Sequence, residues 1–145
     1  MRASVSLRLD RVEHMRILPC LLLVVSSTVL AQGTQAGLHC KPTATDYIYD
    51  CTIKLARDGK PLTGVSLTVG ADMPSMPMMH AVKPVKAKPG KIPGEYQAKL
   101  DLEMLGEWAV TLTLGGPAKD RLVLLYAFDE KGASPVTRSG KPPRN

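Results

Sequence analysis

Aromatic side chains are scarce in this 145-residue chain, which has one Trp, one Phe and four Tyr. A stacking platform for single-stranded nucleic acid needs several aromatic faces, so that class of function is excluded. Long apolar runs are also missing, because no stretch reaches the roughly 18 residues of a transmembrane helix. There is no HExxH, no phosphate-binding glycine loop and no nucleophile motif, and no histidine sits in a base-and-orienter arrangement. The chain is therefore not expected to be an enzyme. Asp101 and Glu103 read as ordinary surface charge on a strand.

What is present suits one small soluble module. Apolar residues make up 44% of the chain, too many for a disordered polymer, and glycine and proline supply twelve each, which favours turns over long helices. Residues 1–31 read as a secretory signal peptide. Arg16 is followed by an apolar stretch from Ile17 to Leu30, and Val29 and Ala31 fit the small-residue positions of a cleavage site. The alternative is an uncleaved anchor, but Pro19 and Ser26-Ser27-Thr28 suit that poorly. The expectation is a periplasmic or secreted protein with no stable membrane anchor after cleavage. Removing the leader takes away four basic and two acidic residues and lowers the net charge from +6 to +4. That charge is too diffuse to argue for a nucleic-acid partner.

Cleavage also removes Cys20 and leaves one pair, Cys40 and Cys51. Outside the cytoplasm such a pair reads as a structural disulfide. A redox or metal-binding dithiol is the alternative, and ten intervening residues are far from CxxC spacing.

Period-2 alternation predicts the fold. Tyr47, Tyr49, Cys51, Ile53 and Leu55 share one face of a first strand. Val65, Leu67, Val69, Ala71 and Met73 repeat the pattern, as do Tyr96 to Met104 and Trp108 to Leu114. Arg57-Asp58-Gly59-Lys60-Pro61 and Gly115-Gly116-Pro117 are turns, and Leu105-Gly106 reads as a tight hairpin. Leu122 to Phe128 is apolar enough for a strand buried on both faces. The expected fold is all-β, an antiparallel immunoglobulin-like β-sandwich of about seven strands over residues 32–128, followed by a disordered tail, 129–145. Trp108 is expected in the core, or as a shield over a soft-metal site.

One segment exceeds what a generic sandwich needs: Met73-Pro74-Ser75-Met76-Pro77-Met78-Met79-His80. After cleavage five methionines remain, and four of them fall within these positions. Pro74 and Pro77 exclude a helix or a central strand, so the segment reads as a surface loop. Thioether sulfur is a soft, uncharged ligand that suits Cu(I), and His80 adds an imidazole. Against this stands the reading of the methionines as adaptable filler or a contact surface. Counting strand directions brings Met104, the fifth methionine, to the same end of the sandwich as the loop. His39 is a minor ligand candidate. Lys83, Lys86, Lys88 and Lys91, interleaved with Pro84 and Pro89, read as a protected edge strand or as a docking surface for an acidic partner.

The sequence Ala71 to His80, with Pro93-Gly94-Glu95-Tyr96 and Met104-Leu105-Gly106-Glu107-Trp108, resembles the YtkA-like domain family and is similar to the periplasmic part of FixH-like proteins. The resemblance covers roughly residues 45–128. It implies an exported sandwich associated with copper handling, with Met73, Met76, Met78, Met79, His80 and Met104 as candidate ligands. FixH-like relatives are linked to cytochrome oxidase assembly, and this chain differs from them in its cleavable leader. The expected function is an extracytoplasmic copper-binding protein, a Cu(I) chaperone or copper-tolerance factor with a periplasmic copper-acceptor protein as its partner. The second reading is a non-catalytic interaction module whose methionine loop is a hydrophobic contact.

Overall fold

Apolar residues at every second position put one face of each extended segment inward, and the chain folds accordingly. The computed structural model describes residues 33–137 apart from 77 and 78, so the expected leader and the end of the tail lie outside the described residues. Ten strands follow one another: β1 (Thr34–Pro42), β2 (Ile48–Arg57), β3 (Lys60–Pro61), β4 (Ser66–Asp72), β5 (Ala81–Lys86), β6 (Lys88–Pro89), β7 (Glu95–Asp101), β8 (Gly106–Gly115), β9 (Asp120–Asp129) and β10 (Gly132–Pro135). Seven have six or more residues, and β3, β6 and β10 are short.

The strands form two antiparallel sheets. One has the order β1-β2-β7-β6, with β3 added against β2, and the other has the order β10-β9-β8-β4-β5. The protein is thus an all-β sandwich. Its core is filled from one sheet by Tyr49, Cys51, Ile53, Leu55, Tyr96 and Leu100, and from the other by Leu67, Val69, Trp108, Val110 and Leu112. Each large side chain moved fully out of water contributes roughly 1.5–3 kcal/mol. Two phenols fasten the sheets together. Tyr49 donates its hydroxyl to the Asp129 carbonyl at 2.8 Å, and the Tyr126 hydroxyl accepts from the Leu38 N–H at 3.2 Å. The Tyr49 and Phe128 rings meet edge to face with centroids 5.0 Å apart.

The Cys40–Cys51 disulfide is present, and both cysteines are buried. They are direct partners in the β1–β2 register, so the bridge staples neighbouring strands of one sheet. The turn after β2 is as expected, with positive φ at Asp58 and Gly59.

Four expectations need correction. First, Tyr47 does not share the buried face of β2; it precedes the strand, has φ 61° and is exposed. Second, Leu105-Gly106 is not a hairpin. β7 and β8 belong to different sheets, so residues 102–105 carry the chain across the core edge while reversing its direction. Leu102 and Trp108, on either side of this corner, are both fully buried. Third, β9 is not buried on both faces. Among the described residues no further layer covers the outside of its sheet, and Val123 is 56% exposed.

Fourth, the tail does not begin at 129. Asp129 ends β9 and Gly132–Pro135 returns as β10, which pairs with Tyr126–Asp129. The Asp129 carboxylate accepts from the N–H groups of Lys131 and Gly132, closing the turn. Gly132 has φ 140°, and a Cβ there would lie 2.5 Å from the Cys40 carbonyl oxygen. Gly132→Ala is therefore expected to cost about 1–3 kcal/mol through backbone strain and this clash. The midpoint of chemical unfolding measures it.

Candidate metal centre

Strand direction decides which loops meet. β4 and β7 end, and β5 and β8 begin, at the same end of the sandwich as residues 43–47 and 130–131. The methionine loop lies there, and the corner at 102–105 lies beside it. Two contacts establish this. The His80 Nδ1 is 2.5 Å from the Glu103 Oε2, and a Cβ at Gly106 would sit 3.3 Å from the Met73 Cε. The fold gathers Met104 with Met73, Met76 and Met79 at one end, as expected for these four.

The loop is built from successive tight turns. The N–H of Met73 bonds the His80 carbonyl, that of Met76 the Met73 carbonyl, and that of Met79 the Met76 carbonyl. Two prolines make such a loop natural, because neither can donate to a ladder. The methionines have different environments. Met79 is 76% exposed and Met76 38%, whereas Met73 is 3% exposed and belongs to the core. Met73 occupies the last inward position of the alternation Leu67, Val69, Ala71, Met73, so packing accounts for it. Met73 thus keeps the place its alternation predicted, and the expected surface loop begins after it. Met104 is half-buried against the core, and Met78 lies outside the described residues. His39 is on β1 and does not join the loop.

Sequence reasoning missed Glu103. It is exposed, as expected for surface charge, yet it holds the His80 ring. The corner position of Glu103 and the strand directions were the available signal. A neutral imidazole that donates from Nδ1 to a carboxylate keeps Nε2 as a free lone pair, which is the orientation metal-binding histidines are usually given. Behind the corner, the Trp108 indole N–H donates to the Met104 carbonyl at 3.2 Å, fixing the backbone that carries Met104.

This end is acidic. Seven carboxylates (Asp46, Asp72, Asp101, Glu103, Glu107, Asp129, Glu130) lie in its loops or in the outer two residues of its strands, against only Lys41 and Lys131. The Tyr49 phenol is pushed above its ordinary range, first by burial and then by the charges of Asp129 and Glu130. Such a field concentrates cations. Among the described residues no three His, Cys, Asp or Glu side chains gather as a metal site, so a cation bound here would depend on thioethers and His80.

The fold and this end define a class: a two-sheet β-sandwich with exposed thioethers and an oriented imidazole at one end. The family model of YtkA-like proteins matches residues 42–113, and the chain belongs to that family over this span. The match runs from the end of β1 into β8 and includes both the methionine loop and the corner at Glu103. No curated protein and no solved structure matches the chain.

Proposed function

We propose that the protein is an exported Cu(I)-binding protein, a chaperone or copper-tolerance factor, that holds copper at the methionine end. The observation that carries this reading is the His80–Glu103 contact, which engages Nδ1 of an imidazole carried by the same loop as exposed Met76 and Met79. Thioethers and a neutral imidazole are soft to borderline donors without charge, a set that favours Cu(I) over Mg(II) or Ca(II). The acidic surroundings offset the cation's charge. Met76, Met78, Met79 and His80 are the proposed ligands, with Met104 as a further one. Met73 underlies the loop as a packing residue. Exposure of Met76 and Met79 suits transfer, because an acceptor can replace thioethers one at a time. Export is supported by the leader-like residues 1–31 and by the buried disulfide, which is stable in an oxidising compartment.

The test is a Cu(I) titration against a competing colorimetric chelator, with Met76→Leu/Met78→Leu/Met79→Leu in parallel. One equivalent bound by the wild type and lost by the variant is expected. No competition by the wild type would overturn the proposal. The second reading, a contact surface, draws on the same end, where Tyr47, Met76, Met79 and Leu105 are all exposed. Leucine keeps the apolar surface and removes the donor, so partner capture that survives the triple variant favours contact over coordination.

A further inference from the structure

The outer face of the β1-β2-β7-β6 sheet carries a second feature, independent of copper. We propose that it is a docking groove for an extended acidic segment of a partner polypeptide. The register places two rows of side chains across the sheet. One row is His39–Thr52–Gln97–Lys88 and the other is Lys41–Asp50–Lys99. Together with Val85 and Lys86 of β5 they line a groove of about 730 Å³.

Apart from Asp50, every polar side chain lining the groove can donate a hydrogen bond. Asp50 is the only carboxylate, and Lys99 already engages it at 3.0 Å. Lys41, Lys86 and Lys88 have no ion-pair partner among the described residues, so their charges are not already neutralised within the groove. Lys41, Lys86 and Lys88 stand on the edge strands β1, β5 and β6 and Lys99 on the internal strand β7, so the groove draws its positive charge from both sheets.

Shape and spacing select the occupant. A groove walled by strands of both sheets, with Thr52 half-buried among exposed lysines, suits an inserted chain better than a flat anionic membrane. The rows are two residues apart along each strand, about 6.8 Å, which is also the repeat of alternate side chains in an extended peptide. Carboxylates at every second position would therefore meet successive rows. The chain's own C-terminal residues are excluded by charge, since Arg138, Lys141 and Arg144 make them basic.

Fluorescence anisotropy of a labelled heptapeptide alternating Glu and Ala, titrated with the full chain at low ionic strength, tests this. Lys41→Gln/Lys88→Gln is expected to weaken binding about tenfold, as the loss of two charge-assisted contacts implies. Lys60→Gln/Lys119→Gln, the same change of charge outside the groove, should weaken it less than about twofold. Thr52→Val, which leaves the charge unchanged, should cost about threefold through its hydroxyl. Equal losses from both lysine pairs would mean unspecific attraction and overturn the proposal. So would no peptide binding, or binding of phosphatidylglycerol vesicles in its place.

Discussion

Trp108→Ala should lower the free energy of unfolding by about 3–5 kcal/mol, the usual cost of removing a large aromatic side chain from a packed core. Trp108 is completely buried three residues past the corner where the chain leaves one sheet for the other. A domain of this size has only about 5–15 kcal/mol to lose, so the variant would retain little stability at physiological temperature. Trp108→Phe separates packing from hydrogen bonding. It keeps much of the apolar volume but removes the indole N–H that donates to the Met104 carbonyl. Its stability should fall by about 1–2 kcal/mol, part of it the penalty of an unsatisfied carbonyl. Chemical unfolding measures both values. Because this is the chain's single tryptophan, its fluorescence in the wild type also reports on the corner.

That corner shows where sequence reading succeeds and where it stops. Alternation from Val65 to Met73 and from Trp108 to Leu114 was legible because one face of each strand meets the core and the other meets water. The same alternation carried Met73 inward, and the prolines that follow it marked the start of a surface loop. Strand direction correctly joined Met104 to the loop. A turn signal such as Leu105-Gly106, however, does not encode whether the next strand pairs locally or crosses to the opposite sheet.

Two strands left little trace in the pattern. In β1 only Leu38, Cys40 and Thr34 are buried, and the rest is polar, small or exposed. β10 consists of Gly132–Pro135, held by backbone bonds and the fit of Gly132 against Cys40, neither of which alternation records. In β9 the run of apolar residues was misleading, since an antiparallel sheet can leave one face to solvent. The Glu103 contact to His80 depends on two loops separated by 23 positions and emerges only once strand directions are fixed. The lysine groove is the same kind of feature. Lys41 and Lys99 look unremarkable along the chain and join Lys86 and Lys88 only through register.

The same register makes the disulfide a mechanical element, and it can be separated from copper binding. Cys40→Ala/Cys51→Ala should destabilise the protein by about 2–3 kcal/mol, the contribution expected from closing a loop of this length in the unfolded chain. The bridge spans an 11-residue separation and ties β1 to β2 at the one point where cysteines face each other. Its loss frees an edge strand whose own apolar burial is slight. The expected readout is a lower urea midpoint. An unchanged slope would place the effect in stability, not in a partly unfolded native state. Cu(I) affinity should stay within about twofold of the wild type, because thioethers and His80, not thiolates, form the proposed donor set. A parallel collapse of affinity in conditions where the variant remains folded would assign the cysteines to the metal site and require a different ligand set. If affinity persists while stability falls, the core staple and the methionine end are independent devices built on one sandwich.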